Sequence, residues 1–255
     1  MRSILITPAI VLRSWAFGES DKIVSFLTAT YGKVTGIAKG AKRSRRRFVN
    51  TLEPFSLVQL SFRDRPHSTL AFIHACDLIR PHKNLTTSLE KIACASYLTE
   101  ITDAFASERQ ESRSLFDHLR EGLIWVEHRV PSHSFLARYE LQLLRLAGYQ
   151  PGWESCRRCR KARVEDAPGH WLFSARDGGL LCAGCSALRK EAIPLSSEAI
   201  DVLVLVQRAN TVLDDRQSFP SAALIEGRSV LRHFIQFQTS RELKSASFLD
   251  ASSLT

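Results

Sequence analysis

Four cysteines form the pattern in this sequence with the clearest chemical meaning. They stand in two Cys-x-x-Cys pairs, Cys156 with Cys159 and Cys182 with Cys185, and 22 residues separate the pairs. Two such pairs present four thiolates on short chelate loops, which suits the tetrahedral coordination of Zn²⁺. Because four thiolates fill that coordination shell, we predict one structural zinc ion. Two redox-active dithiols are the alternative interpretation.

The residues between the two pairs predict a β-hairpin. Strand-forming residues 170–175 and 180–182 flank an Asp-Gly turn in residues 176–179. A hairpin that carries cysteine pairs is typical of a zinc ribbon. His170 lies in it but is not needed as a ligand. The two remaining cysteines, Cys76 and Cys94, are isolated in the sequence, and we expect them to be buried packing residues.

A run of basic residues is the second pattern with a chemical meaning. Residues 39–47 read KGAKRSRRR, with six basic side chains and no acidic one. Residues 1–80 hold 13 Lys and Arg against 5 Asp and Glu, so most of the net charge of +9 lies there. Such dense positive charge suits the repeating anions of a phosphodiester backbone. A solvated loop and an anionic membrane surface are the alternatives.

The predicted DNA-contacting residues combine this run with one neighbouring lysine. They are Lys33, Lys39, Lys42, Arg43, Arg45, Arg46 and Arg47. We expect the run to form a flexible loop between two strands. Aromatic residues occur nearby and could stack on bases, but most aromatic side chains in a small barrel fill its core. We therefore assign no aromatic residue to the site.

Five short strand-like segments position the basic run. They are rich in Val, Ile, Leu, Phe and Thr, and turn residues separate them. The predicted strands are residues 10–16, 23–29, 34–38, 55–62 and 69–73. Five short strands in some 80 residues favour a small closed barrel such as the OB-fold, whose loops commonly bind single strands.

A helical period replaces the strand pattern after Pro81. Apolar residues recur every four positions from Leu89 to Phe105, and Thr87 with Glu90 predicts a capping box. The other predicted helices are residues 112–127, 135–146 with an end at Gly148, 197–209 and 222–243. The last residues, with Phe248 and Leu249, either dock or fray.

The predicted fold class is therefore α+β and multidomain. An N-terminal OB-fold β-barrel precedes an α-helical domain into which a four-cysteine zinc ribbon is inserted. The predicted boundaries are the barrel at 1–80, the helical domain at 81–152 and 189–245, the ribbon at 153–188, and a tail at 246–255.

Several functional classes lack their sequence signatures. No G-x-x-x-x-G-K-[ST] loop, H-E-x-x-H or H-x-E zinc-enzyme motif or G-x-S-x-G elbow occurs. No apolar run is long enough to span a bilayer, and no cleavable h-region follows Met1. We therefore expect a cytoplasmic binding protein, not an enzyme.

Several short motifs together resemble the bacterial recombination mediator family RecO. The matching segments are GESD at 18–21, YGKV at 31–34, AKGAK at 38–42, LEPF at 52–55, RYEL at 138–141, LAGYQP at 146–151 and RELKS at 241–245. Their order and spacing follow that family over nearly the whole chain. The resemblance implies an OB-fold, a helical domain and a zinc ribbon.

The resemblance also implies a function and a set of partners. RecO-like proteins bind single- and double-stranded DNA and anneal complementary strands. They act with RecR, and in some bacteria with RecF, to help load RecA onto DNA coated by single-strand-binding protein, whose C-terminal tail they contact. This chain is accordingly expected at the nucleoid. Two alternatives from other classes are a zinc-ribbon transcription or adaptor protein and a DNA-processing enzyme with a structural zinc.

Overall fold

The computed structural model describes residues 3–163, 171–187, 189–209 and 219–251. The chain forms two compact units, Met1–Arg129 and Val130–Thr255. The predicted boundary after residue 80 marks where strands give way to helices. The first compact unit continues beyond it and includes two helices.

Five strands close into a barrel in the first unit. They are β1 (Leu5–Phe17), β2 (Asp21–Thr28), β3 (Lys33–Ala38), β4 (Leu57–Arg63) and β5 (Ala71–Arg80). Their order around the barrel is β1-β2-β3-β5-β4. Only the β3–β5 pair is parallel; the other pairs are antiparallel. The predicted OB-like barrel is confirmed, although β5 extends well beyond the predicted segment 69–73.

The barrel closes where β3 meets β5, and Gly36 allows that contact. Gly36 pairs with Ala71. A Cβ atom at residue 36 would collide with the Ile73 side chain and lie 2.9 Å from the Ala71 carbonyl oxygen. Val24, Phe26, Val34, Leu60 and Phe62 fill the interior without exposed surface. Two of the five aromatic side chains on the barrel strands, Phe26 and Phe62, pack in this core.

Helices α1 (Leu89–Phe105) and α2 (Arg113–His128) complete the first unit. The N-cap of α1 is Ser88, whose hydroxyl accepts a hydrogen bond from the Lys91 N–H, so the capping box predicted at Thr87 is wrong by one residue. The hydroxyl of Thr87 instead donates to the Asn84 carbonyl oxygen at 2.8 Å. Serine and threonine both suit an N-cap, which explains why the sequence alone did not distinguish them.

Two buried carboxylates join the helices to the barrel strands. Asp103 on α1 lies 2.6 Å from Lys33 Nζ and 3.0 Å from an Arg13 guanidinium nitrogen. Glu127 on α2 accepts hydrogen bonds from Arg80 at 2.7 and 3.0 Å.

Glu127 also lies 2.9 Å from Nδ1 of the buried His82. Burial lowers the pKa of His82, although the neighbouring carboxylate favours its charged form. Burial disfavours ionisation of Glu127 in turn, but hydrogen bonds from Arg80 and His82 outweigh it and lower that pKa. Each group therefore has a lower pKa in the folded state than in the unfolded state. This difference stabilises the fold at neutral pH, and the stabilisation is lost as the pH falls through the folded-state pKa values.

The second unit combines helices with a small sheet. Its helices are α3 (His133–Leu146), α4 (Ala183–Ser186), α5 (Ser197–Arg208), α6 (Ser221–Thr239) and α7 (Lys244–Asp250), and its strands are β6 (Trp171–Ser174), β7 (Gly179–Cys182) and β8 (Ile193–Leu195). As predicted, α3 is followed by Gly148 with a φ of 83°, and the Tyr149 N–H bonds back to the Leu144 carbonyl oxygen at 2.8 Å.

The end of the chain corrects one prediction. The predicted helix 222–243 ends earlier, at Thr239, and Ser240 adopts a left-handed conformation with a φ of 51°. A separate helix, α7, follows and buries Leu249 completely, while Phe248 stays 40% exposed. The described part of the tail therefore docks on the second unit instead of fraying.

Candidate metal centre and nucleic-acid interface

Two short turns bring the four cysteines together. Cys182 ends β7 and Cys185 lies on α4, while Cys156 and Cys159 form a tight turn in which the Arg160 N–H donates to the Cys156 carbonyl oxygen at 3.0 Å. All four Sγ atoms lie within 4.8 Å of one another, and those of Cys159 and Cys182 are 3.6 Å apart. Four cysteines so close together could hold a metal ion.

The electrostatics of the cluster fit a cationic ligand. Burial disfavours the Cys156 thiolate, but the backbone N–H groups of Cys159, Cys182 and Arg158 donate to it and bring its pKa down to about 6. Hydrogen bonding with the Cys159 sulfur, together with burial, raises the pKa of Cys185. The protein alone therefore stabilises one thiolate and opposes a second. A bound divalent cation would offset the repulsion among four thiolates.

The sheet of the predicted ribbon contains one strand more than predicted. β6 and β7 form the predicted hairpin, which pairs Trp171 with Cys182 and Ser174 with Gly179. Strand β8 pairs with the other edge of β6 and leads directly to Ser196, the N-cap of α5. Residue His170 and the predicted start of the hairpin lie outside the described residues. Because β8 is three residues long and contains Pro194, its sequence carries almost no strand signal.

The predicted basic run lies between β3 and β4; residues 39–47 are called the basic segment below. Residues Ala41–Arg43 form a single 3₁₀ turn. Ala41, within the basic segment, and Phe48, the residue that follows it, are buried in the barrel core. Asp21 accepts a hydrogen bond from the Gly40 N–H at 2.8 Å, which lowers the pKa of that carboxyl group. The segment is thus a loop between strands, as predicted, and it is bonded to the barrel at several points.

Six of the seven predicted DNA contacts lie on this segment and reach solvent: Lys39, Lys42, Arg43, Arg45, Arg46 and Arg47. Arg47 also has a structural contact, because its guanidinium donates to the Lys39 carbonyl oxygen at 2.9 Å. Lys33 differs from the six. Its side chain is only 13% exposed and is neutralised by Asp103, so we leave Lys33 out of the proposed contacts.

Two exposed aromatic residues beside the segment were not assigned to the site from the sequence. Trp15 and Phe17 are 44% and 49% exposed near the end of β1. The following turn is bonded to the basic segment, because Lys42 Nζ donates to the Gly18 carbonyl oxygen at 2.8 Å. The alternation of Arg13, Trp15 and Phe17 on one face of β1 was the available signal. It was missed because an aromatic side chain on a strand of a small barrel was expected to fill the core.

Comparison with known proteins places the chain in a family. The family model for the Recombination protein O N terminal matches residues 1–82, and that for the Recombination protein O C terminal matches residues 86–247. The chain belongs to the RecO family. The resemblance drawn from the motifs is thereby confirmed.

Curated relatives of this RecO chain cover it almost completely. The DNA repair protein RecO of Syntrophus aciditrophicus is 35% identical over 96% of this chain and 94% of its own length. That of Anaeromyxobacter dehalogenans strain 2CP-C is 34% identical over 94% of each chain. That of Caldanaerobacter subterraneus is 31% identical over 96% of each. In the described part of this RecO chain, no helix has the length and apolar character needed to cross a membrane.

Proposed function

We propose that this RecO-family chain is a recombination mediator in DNA repair. It binds DNA, anneals complementary strands and helps load a recombinase onto single-stranded DNA coated by single-strand-binding protein. The observation that carries this proposal is the exposed basic segment, held against the barrel beside Trp15 and Phe17. The role is one of binding and positioning, without covalent catalysis.

The proposed mechanism is electrostatic. Exposed Lys and Arg side chains of the basic segment neutralise phosphates and release counterions, which gives affinity for both single- and double-stranded DNA regardless of sequence. Screening of the phosphate charges lowers the repulsion between two strands, so complementary bases can approach and pair. The exposed rings of Trp15 and Phe17 could stack on unpaired bases and favour single strands locally.

The four cysteines are proposed to hold one structural Zn²⁺. Bound there, the ion would supply a tetrahedral cross-link between Cys156, Cys159, Cys182 and Cys185. The chain's own contribution is a set of backbone N–H groups that stabilise the Cys156 thiolate. A fully sulfur-ligated ion has no open position for substrate, so its proposed role is to hold the ribbon in place.

The proposed partners follow from the family. They are RecR, in some bacteria RecF, the C-terminal tail of single-strand-binding protein on the helical part, and RecA indirectly. Work on chromosomal DNA would place the protein in the cytoplasm at the nucleoid.

The testing experiment is strand annealing across a salt series. Two complementary labelled oligonucleotides, each coated with single-strand-binding protein, are mixed with and without the full chain. We expect faster annealing that fades as salt rises. The double variant Arg45→Ala/Arg46→Ala should flatten the salt dependence of single-strand binding. Each lost phosphate contact reduces the steepness of the negative slope of log K against log salt by about 0.7.

The matched control is the double variant Arg176→Ala/Lys190→Ala, which removes two exposed charges from the second unit. It should retain the slope of the unmodified chain. An unchanged slope in Arg45→Ala/Arg46→Ala would refute the assignment of the basic segment. A greater loss of single-strand affinity from Arg158→Gln/Arg160→Gln than from Arg45→Ala/Arg46→Ala would favour a zinc-ribbon adaptor, and conversion of the labelled strand to a product would favour an enzyme.

A further inference from the structure

A second group of arginines surrounds a cleft of about 590 Å³ in the second unit. The cleft lies between the C-terminal end of α3, residues 150–155 and the last turn of α5. Its cationic lining consists of Arg145, Arg157 and Arg208. The proposed function leaves this cleft without a role.

The ribbon fixes the position of Arg157 at the cleft. Its backbone N–H donates to the Leu180 carbonyl oxygen at 2.8 Å, which ties it to strand β7. Its Cδ packs so closely on Gly152 that a Cβ atom there would lie 3.0 Å away. Its Nε donates to the Asp177 carbonyl oxygen at 3.4 Å. These contacts fix the side chain of Arg157, so its guanidinium is positioned at the cleft without a bound ligand.

Hydrogen bonds connect residues 151–153, which line the cleft, to α5. Trp153 Nε1 donates to Gln207 Oε1 at 2.8 Å, and Gln207 Nε2 donates to the Pro151 carbonyl oxygen at 3.4 Å. Glu154 is the one carboxylate among the lining residues. It lies 3.3 Å from Arg208, and both side chains are largely exposed, so this pair is weak and can be displaced.

We propose that this cleft binds the phosphodiester backbone of a second nucleic-acid strand. Planar guanidinium groups bind phosphate oxygens through paired hydrogen bonds, and three of them line this one cleft. The lining is mainly polar, and its one large aromatic side chain, Trp153, is buried. An acidic peptide with apolar anchors would find little to bind there. The proposal rests on the proposed function, because a second site lets one chain hold both strands that are to be annealed.

The experiment measures bridging of two non-complementary single-stranded oligonucleotides by the full chain. One strand carries a fluorescence donor and the other an acceptor, so that energy transfer reports both strands on one protein. The double variant Arg157→Gln/Arg208→Gln should reduce bridging by about tenfold. Affinity for the first strand should change by less than about twofold, because the basic segment is untouched.

Two further variants distinguish the cleft from general surface charge. Arg158→Gln/Arg160→Gln removes two charges from the same ribbon outside the cleft and should preserve bridging. Glu154→Gln removes the one repelling carboxylate and the partner of Arg208, so it should strengthen bridging. Stronger bridging in Glu154→Gln, opposite to the loss in Arg157→Gln/Arg208→Gln, cannot arise from misfolding.

The failures of the two proposals can be told apart. Absence of single-strand binding by the unmodified chain would overturn the proposed function. Normal single-strand binding with equal bridging in the cleft and control variants would overturn the cleft proposal alone. The cleft proposal would also fail if a fluorescent oligo-aspartate peptide bound the chain, lost affinity in Arg157→Gln/Arg208→Gln, and was not displaced by single-stranded DNA.

Discussion

Trp15 is the one tryptophan of the chain with a substantially exposed ring. The other three are at most 7% exposed, whereas 44% of Trp15 is accessible. A change in tryptophan emission on adding single-stranded DNA therefore reports mainly on the edge of the barrel beside the basic segment.

We predict that single-stranded DNA quenches this emission and shields Trp15 from iodide. Base stacking on an exposed aromatic ring contributes about 1 to 3 kcal/mol, and Trp15→Ala should weaken binding to a similar extent. The measurement is a fluorescence titration with oligothymidylate at fixed salt.

Trp15→Phe is the matched control for this prediction. It should abolish the quenching and retain most of the affinity, because a smaller aromatic ring remains. Iodide quenching of Trp15 that is the same with and without saturating DNA would contradict the stacking role.

Residue type and sequence position identified the basic segment, but not which of its neighbouring basic side chains is buried and neutralised by an acidic partner. Lys33 matched the segment in type, and its neutralising partner is Asp103, far along the chain on α1. Such a partner cannot be recognised without the fold, since an aspartate on a helix carries no sign of which strand it meets. From the sequence alone, the arginines beside Cys156 could equally be phosphate contacts or solvated surface. Only the fold distinguishes Arg157, whose side chain β7 and Gly152 hold at the cleft.

At the scale of elements, the ribbon depends on a cross-link that its two short strands cannot replace. β6 and β7 have four residues each, and α4 is a single turn. An apolar core of that size stabilises little by itself, so metal binding should supply much of the folding free energy of the ribbon.

We predict that Cys159→Ser loses the metal and selectively unfolds the ribbon. Hydrogen exchange should accelerate in residues 171–182, while the barrel strands keep their protection, because no cysteine of the cluster lies in the first unit. The measurements are zinc content by mass spectrometry and exchange by peptide.

Cys76→Ser provides the comparison for the metal measurement. It changes a buried cysteine of the barrel and should leave one zinc per chain. If Cys159→Ser retained a full equivalent of zinc, the four-cysteine site would be wrong.

Elements with strong local patterns were predicted well, and elements without them were not. The period of four apolar residues located α1, and the Asp-Gly turn located the β6–β7 hairpin. Strand β8 was missed because its pairing comes from β6, not from its own three residues. The end of α6 was misplaced because Ser240 breaks the helix with a left-handed conformation that serine rarely signals.

At the scale of the molecule, the first compact unit ends at Arg129, well beyond the last barrel strand. Besides the pairs of Asp103 and Glu127, backbone hydrogen bonds connect β3 to residues 107–109. The Lys33 N–H donates to the Ser107 carbonyl oxygen at 3.2 Å, and the Arg109 N–H donates to the Lys33 carbonyl oxygen at 3.0 Å. We therefore expect the barrel and the helices to unfold together.

We predict that a fragment of residues 1–129 unfolds cooperatively, whereas a fragment of residues 1–82 is less stable by several kcal/mol. Truncation removes α1 and α2, so the barrel loses the ion pairs of Lys33 with Asp103 and of Arg80 with Glu127, together with the backbone hydrogen bonds from β3 to residues 107–109. Urea unfolding followed by circular dichroism measures both fragments.

The double variant Asp103→Asn/Glu127→Gln in the longer fragment separates charge from chain length. It should lose a large part of the same stability. Equal urea midpoints for the two fragments would show that the barrel is independent of its helices.

The tight closure at Gly36 limits how the sequence can drift. A side chain at residue 36 would meet both Ile73 and the backbone of Ala71, so a methyl group there can be accommodated only if residue 73 becomes smaller and the strands move apart slightly. Substitution at residue 36 should therefore be accepted in natural descendants of this chain only together with a change at residue 73. The two positions would be inherited as a pair, although they lie on different strands and far apart in the sequence.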